Sequence, residues 1–312
     1  MHWFKEIFGF TETLENINKY ITFDFTNNKI ISTANNKEFL FGELKVKSLK
    51  ELRKELIVKE SSSQNIKGSI KISQRIGNIK NIHYENKDVL IQVASQFNLL
   101  EMMYPEQTPQ QGITIYVDDH TQGPICAMSC AAGTLYRNYK TNINTLSNIE
   151  KLFTKEYWYM KNGYTIFNNI DITEFNKEVY INQEKIKEEL LFGIQENTEV
   201  MNTNHTLSQI YCSAIPISYI TNVLEKDLER FSKLILDSAY EATFISAILN
   251  PLSNKVFLTY LGGGAFGNKL EWIYDSIEKN CEKFKEYNLE IIIIKYSHGV
   301  DKKIEEISTK YN

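Results

Sequence analysis

Residues 255–280 contain a glycine-rich segment whose spacing could bind an anion. Within KVFLTYLGGGAFGNKLEWIYDSIEKN, Gly262, Gly264 and Gly267 satisfy the pattern G-x-G-x-x-G between a short apolar run and a helical pattern. A loop that leads from a buried strand into a helix presents backbone N–H groups and the positive end of the helix dipole to an anion such as a diphosphate. A glycine-rich turn that serves only packing is the alternative.

The position of this loop argues against two known phosphate-binding folds. A Rossmann fingerprint opens the first βαβ unit and needs further units after it, whereas about 45 residues follow Gly267. The last predicted strand ends in Lys295 and Tyr296, followed by Ser297 and His298, and offers no acidic residue for a ribose. No Gly-Lys-Ser/Thr follows the glycines, which excludes a P-loop.

Two amides follow directly on the strand predicted at 88–95, DVLIQVAS. In an open α/β sheet, ligands bind beyond the carboxyl ends of the strands, so Gln96 and Asn98 lie where a polar ligand is expected. An asparagine side chain can bond ribose hydroxyls as donor and as acceptor. We therefore predict that both amides contact the ligand.

Three carboxylates come next in or beside loops. Glu101, Asp118 and Asp119 are candidates for an acid, a base or a charge stabiliser. Each also has an ordinary interpretation, because either aspartate could cap a turn and Glu101 could be a surface charge. His120 could equally be solvated.

Composition and charge limit the class of protein. The 312 residues are 42% hydrophobic, enough for a large core, and a net charge of -4 gives no basic excess for nucleic acid. No apolar stretch reaches the roughly 20 residues that span a bilayer, and residues 1–10 lack a signal-peptide cleavage site. The four cysteines are scattered and the histidines are isolated, so we predict no metal and no cofactor. A cytoplasmic protein without nucleic-acid or membrane partners is expected.

Strands alternate with helices along most of the chain. Leu49, Leu52 and Leu56 form one stripe of an amphipathic helix, and further helices are predicted at 125–136, 222–250 and 269–287. Tyr136 and Arg137 are expected to pack and pair locally. Strands are predicted at 68–79, 88–95, 162–167, 190–195, 209–217, 255–261 and 289–296. This alternation predicts a layered α/β domain with a covered central sheet.

The polar segment KESSSQN at 59–65 is the best linker candidate. It predicts an N-terminal α/β appendage over 1–62 and a main domain over 63–312. The Asn-rich region 141–189 could form a lid or merely decorate the fold.

Several of these motifs together resemble a known family. VASQFN, LLEM, TQGP and YRNY, with AYEATFISAILN and KVFLTYLGGGAFGN, resemble a divergent macrodomain family over roughly residues 66–298. That family includes macrodomain-like ADP-ribosyl hydrolases among bacterial effectors, which act on ADP-ribosylated arginine. The resemblance implies a three-layer α/β/α fold with a mixed central sheet that binds ADP-ribose.

The resemblance also implies roles for individual residues. Asn78 and Ile79 correspond to the adenine segment, Tyr296 to the aromatic residue that stacks on adenine, and Asn98 to the ribose-binding asparagine. Asn78 replaces the family's aspartate, and SQFN and PQQG replace its usual Asn-Ala-Ala-Asn and Gly-Gly-Gly. Phe266 would border the distal ribose. The diphosphate would lie on Gly262, Gly263, Gly264, Ala265, Phe266, Gly267 and Asn268.

The leading hypothesis is therefore hydrolysis of the glycosidic bond between ADP-ribose and a protein side chain, with arginine implied by the resemblance alone. Asp119, Glu101 and Asp118 are the catalytic candidates, in that order. A non-catalytic ADP-ribose reader and a partner-binding scaffold that uses residues 1–62 are the alternatives. The expected partners are ADP-ribose and ADP-ribosylated protein, in a host cytosol if the protein is a secreted effector.

Overall fold

The computed structural model describes residues 3–62, 66–296 and 299–312. The α-helices in these ranges are α1 (Trp3–Phe8), α2 (Leu14–Tyr20), α3 (Leu49–Ser62), α4 (Ile79–Glu85), α5 (Gln122–Ser129), α6 (Ala131–Lys140), α7 (Ser147–Glu150), α8 (Ile172–Ile181), α9 (Gln183–Glu189), α10 (Glu225–Leu249), α11 (Leu270–Phe284) and α12 (Lys302–Tyr311). The strands are β1 (Ile21–Asp24), β2 (Lys29–Ser32), β3 (Lys37–Leu40), β4 (Glu43–Ser48), β5 (Ile70–Ile76), β6 (Leu90–Ala94), β7 (Trp158–Lys161), β8 (Tyr164–Phe167), β9 (Leu191–Glu199), β10 (Thr206–Cys212), β11 (Lys255–Leu258) and β12 (Leu289–Lys295).

The central sheet is mixed, as predicted. Its seven described strands follow the order β4-β9-β10-β6-β11-β12-β5. The run from β10 to β5 is parallel throughout, whereas β9 is antiparallel to both β10 and β4. The parallel part explains the apolar runs in β6 and β12, because strands covered on both faces need apolar side chains on both.

Helices cover both faces of the sheet. Leu90 and Val256 pack with α3, α10 and α11 in one buried cluster. Ile91 and Val93, whose side chains point the opposite way, pack with α4 and α5 in another. The predicted three-layer α/β/α arrangement is therefore confirmed.

One helix differs from the prediction. The segment predicted as one helix at 125–136 forms two, because Cys130 leaves the helical conformation (φ -118°, ψ 55°) between α5 and α6. The long helix predicted at 222–250 is confirmed as α10 at 225–249. None of the helices in the described ranges is both long and apolar enough to cross a bilayer.

The N-terminal residues are built into the main sheet. Strand β4 pairs with β9 along its whole length, and Leu49, Leu52 and Leu56 of α3 are buried against the sheet. The linker prediction is wrong for residues 59–62, which continue α3, while 63–65 lie outside the described residues. A division of the chain between residues 62 and 63 stays a prediction.

Glu12 connects the N-terminal segment to the loop that precedes α5. Its carboxylate accepts hydrogen bonds from the backbone N–H groups of Ile113 (2.9 Å) and Thr114 (2.6 Å) and from the hydroxyls of Thr114 (2.5 Å) and Tyr139 (2.8 Å). These contacts fix the start of the 3-10 helix Thr114–Asp118, which leads to Asp119.

We expect Glu12→Gln to lower the free energy of unfolding by about 2 kcal/mol, because hydrogen bonds to a charged group contribute roughly 1.5–3 kcal/mol and the new NH₂ group would face N–H donors. Urea denaturation measures the change. Glu15→Gln, at an exposed position in the same segment, is the control. Equal stability of the two variants would contradict the assigned role of Glu12.

Candidate active site

A crevice opens where β6 and β11 separate. The two strands pair only at Leu90 and Ile91 of β6. Beyond that point the side chain of Gln122 takes the place of a strand, since its Oε1 accepts from Ala94 N (2.8 Å) and its Nε2 donates to Gln92 O (2.8 Å). A cavity of about 210 Å³ lies there, at the carboxyl ends of β6, β10 and β11. This is where open α/β sheets bind ligands.

Gln96 shapes the loop that carries Glu101 into the cavity. Its Nε2 donates to Met102 O (3.0 Å), and its Oε1 accepts from Met102 N (2.6 Å). The two bonds close a loop over residues 97–101. Gln96 lines the cavity, but its side-chain amide is already engaged by the backbone of Met102, and its predicted contact with the ligand stays a prediction.

Glu101 is a buried carboxyl in the cavity wall, and it has no hydrogen-bond partner. Its side chain is 1% exposed, and neither oxygen bonds any described residue. Burial raises the pKa of Glu101 to about 8; the guanidinium of Arg137 opposes this rise and the Asp119 carboxyl adds to it. The carboxyl therefore keeps its proton near neutral pH and can donate it.

The other two predicted carboxylates have different positions. Asp119 lines the same cavity, and its Oδ1 accepts from the N–H of Thr121 (2.8 Å). Asp118 is exposed and does not line the cavity. The structure thus brings together Glu101 and Asp119 but leaves Asp118 outside, beside the exposed His120.

The glycine loop forms another part of the cavity wall. Gly262 and Gly267 have φ of 73° and 71°, a region that disfavours other residues. Asn268 fastens the loop, since its N–H donates to Gly262 O (2.9 Å) and its Nδ2 donates to Ile215 O (2.9 Å). Gly263 supports the turn by donating to Tyr260 O (3.0 Å).

Several backbone donors of this loop are free. The N–H groups of Gly264, Ala265 and Phe266 have no acceptor among the described residues, and all three residues line the cavity together with Gly262. Helix α11 begins at Leu270, shortly after the loop. Successive unpaired N–H groups in such a turn favour a bound anion.

An aromatic wall completes the cavity. Tyr164, Tyr219 and Phe266 pack against one another, with ring centroids separated by 5.0 to 6.0 Å. Tyr164 also donates from its hydroxyl to Met102 O (2.6 Å). Since Tyr164 belongs to β8, the Asn-rich region 141–189 contributes directly to the cavity.

Seven predicted ligand residues do not line this cavity, namely Gly263, Gly267 and Asn268 of the glycine loop and four residues outside that loop. Asn98 uses its Oδ1 to accept from Leu100 N (3.1 Å) within the loop. Asn78 caps α4 through Lys80 N, and Ile79 is core, at 5% exposure. Tyr296 is 71% exposed at the end of β12, which pairs with β5 just before Asn78. The residues predicted to bind adenine thus lie at the same edge of the sheet as the cavity, where the parallel strands end. Ser297 and His298 lie outside the described residues.

The sequence-based prediction missed several cavity residues. Gln122 and Gly123 follow the predicted carboxylates, within the motif TQGP that contributes to the family resemblance. A side chain at Gly123 would collide with Ala94 O and approach Glu101, so glycine is needed at this position. No signal in the sequence relates Tyr219 to this place, since its segment reaches the cavity only through the fold.

Comparisons with known proteins give a remote structural likeness. No protein-family model matches the sequence, and no curated protein matches it. A poly(ADP-ribose) glycohydrolase from Deinococcus radiodurans in complex with ADP-ribose aligns with 6% identity and a TM-score of 0.48 over 86% of this chain and 94% of that chain. A poly(ADP-ribose) glycohydrolase from Thermomonospora curvata aligns with 8% identity and a TM-score of 0.45 over 96% of both chains. Similarity at this level assigns neither a family nor an activity to this chain.

Proposed function

We propose that the protein is an ADP-ribosyl hydrolase that cleaves the bond between C1 of the distal ribose and a protein side chain. The observation that carries the proposal is Glu101, a buried carboxyl without a hydrogen-bond partner whose pKa is raised to about 8 and which lines the same cavity as the free N–H groups of the glycine loop. Arginine as the linked residue is the finer part of the proposal, and it follows from the family resemblance of the sequence motifs.

The two cavity carboxyls suit glycosidic hydrolysis. Such bonds break through an oxocarbenium-like state, which requires one acid for the leaving group and one carboxylate for the water or the developing charge. Glu101 would donate its proton to the departing nitrogen. Asp119, which is partly accessible, would accept a proton from the water that adds to C1.

The remaining walls suit the rest of the ligand. The free N–H groups of Gly264, Ala265 and Phe266 would bind the diphosphate, and the rings of Tyr164 and Tyr219 would pack against the distal ribose. The adenine would extend along the sheet edge toward Tyr296, whose exposed ring is free to stack.

The test is to incubate the protein with arginine-linked and glutamate-linked ADP-ribosylated proteins and to follow ADP-ribose release by mass spectrometry. Calorimetry with free ADP-ribose runs in parallel. Release from the arginine-linked substrate, lost in Glu101→Gln, is the expected result. Binding without release would support a reader instead, and the absence of both would leave the glycine loop as a packing turn.

A pair of variants matched in size but not in charge tests the diphosphate loop. A Cβ at Gly264 would meet nothing within 4 Å, and its φ is not in the left-handed region, so substitutions there should fold. We expect Gly264→Asp to weaken ADP-ribose binding at least about tenfold more than Gly264→Asn, because the aspartate repels the diphosphate while the two side chains have the same size. Calorimetry measures both. Equal affinities would show that no phosphate lies on the loop.

A further inference from the structure

Arg137 is a fully buried arginine on α6 whose guanidinium is anchored entirely by neutral groups. Its Nε donates to Leu99 O (3.0 Å), and its two terminal nitrogens donate to Tyr211 Oη (2.5 Å) and Thr134 Oγ1 (3.2 Å). The guanidinium carbon also lies 3.7 Å from the centroid of the Tyr211 ring. Such anchoring fixes the charge in space without neutralising it.

The carboxyl that this charge faces is Glu101. A terminal nitrogen of Arg137 lies 3.9 Å from Glu101 Oε1, too far for a hydrogen bond but close for two buried charges. The other titratable groups around Glu101 are those of Asp119, Tyr116, Cys126 and Tyr211, and none of these side chains can carry a positive charge. Within the described residues Arg137 is thus the cation of this environment.

The same arginine holds the backbone of the Glu101 loop. Leu99, whose carbonyl accepts from Arg137, has a φ of 63°, which is uncommon for a residue with a side chain. A strained conformation persists only where surrounding contacts enforce it. Arg137 therefore contacts the loop two residues before Glu101 and its charge acts on the Glu101 carboxyl.

We propose that Arg137 is a positioning residue for Glu101, holding the loop through Leu99 and supplying the fixed positive charge that allows the buried carboxyl to release and regain its proton. The inference rests on the proposed function, because it assigns a supporting residue to the same carboxyl. The protein would need this charge because the acid must give up its proton in every turnover before it regains one, and burial alone would hold the proton too firmly.

The titration of Glu101 tests the inference without any assay of activity. In protein labelled with ¹³C at glutamate carboxyls, the Glu101 signal is the one missing from Glu101→Gln. We expect Arg137→Met to move its titration midpoint upward by about one pH unit, since a cation within about 4–6 Å lowers a carboxyl pKa by roughly 1–3 units. Arg75→Met, which removes an exposed arginine paired with Glu85, should leave the midpoint unchanged.

An unchanged or lowered midpoint in folded Arg137→Met would overturn the inference. Should that variant fail to fold, Arg137→Gln removes the charge but retains donors for Leu99, and the same shift is expected. Should neither fold, Arg137→Lys decides, because it keeps a positive charge but lacks the planar fork that bonds Leu99, Tyr211 and Thr134 together. A shifted Glu101 midpoint supports a charge held in place by the guanidinium, and an unchanged midpoint refutes it. If the wild-type protein releases no ADP-ribose while the midpoint still shifts, the proposed function fails and the Arg137 assignment stands.

Discussion

Glu101→Gln is expected to abolish hydrolysis and, at the same time, to stabilise the folded protein at neutral pH. The loss of activity should reach about 10²–10⁴-fold, the usual contribution of a general acid. The gain in stability has a separate origin, since burial raises the pKa of Glu101 from its ordinary 4.5 to about 8. At pH 7 the chain must therefore take up, on folding, a proton that the unfolded chain has released, and this costs free energy.

The sign of this effect follows from the raised pKa. The contribution of Glu101 to stability is most favourable below pH 4.5 and is lost as pH rises from 4.5 through about 8. A glutamine of the same shape has no proton to bind, so its stability is independent of pH across this window. At pH 7 the variant should exceed the wild type by about 3 kcal/mol, reduced by any loss of packing.

Two measurements check this prediction. Urea denaturation at pH 5 and pH 7.5 should show that the variant's advantage in free energy of unfolding over the wild type grows with pH. The wild-type activity should fall above about pH 8, because the acid then loses its proton. Glu106→Gln, an exposed carboxyl paired with Lys161, is the control and should change neither. A Glu101→Gln protein less stable than the wild type at pH 7.5 would disprove the buried, protonated state.

Glu241→Gln is expected to destabilise the protein by about 3 kcal/mol. The Glu241 carboxylate is 2% exposed on α10 and bonds Arg53 of α3 (2.6 Å) and Lys283 of α11 (2.5 Å), with Lys187 of α9 at 3.7 Å. Burial alone would raise the pKa of Glu241, but the bonds from Arg53 and Lys283 outweigh it and lower that pKa to about 2. The glutamine would leave a cluster of cations without their counter-charge.

The pH dependence has the opposite sign to that of Glu101. A lowered carboxyl pKa gives stability that is present above pH 4.5 and lost as pH falls from 4.5 through about 2. Thermal unfolding between pH 3 and pH 7 should therefore show a steeper acid loss in the wild type than in the variant. Glu229→Gln, on the same helix in an exposed pair with Lys233, should change stability by less than about 0.5 kcal/mol. Similar losses for both variants would refute the role of the buried cluster.

The predictions that held depended on local patterns. The stripe of Leu49, Leu52 and Leu56 predicted α3, and the apolar runs at 90–94 and 289–295 predicted covered strands, because burial on both faces admits few polar residues. The glycine spacing likewise predicted a turn that exposes backbone donors, and two of its glycines do have positive φ. In these places periodicity alone carries the information.

The predictions that differed from the structure required contacts between distant segments. Asn98 has the same side chain whether it binds a ribose or closes its own loop, and only the fold shows the second use. The order of the catalytic candidates also differs, since the sequence favours Asp119 over Glu101, whereas the burial of Glu101 favours it as the acid. Neither burial nor the nearby Arg137 can be read from the neighbouring residues.

The sequence by itself determined the layered α/β class, the core helices and strands, and the place of the glycine loop, because hydrophobic periodicity and glycine conformation are local properties. The tertiary structure alone decided which polar groups share the cavity. Glu101, Asp119, Tyr164, Tyr219 and the loop at Gly264 come from five separate segments that meet where β6 and β11 part. The protonation state of Glu101 also depends on the tertiary structure, because the pKa of a carboxyl depends on its burial and on charges that only the folded chain brings near.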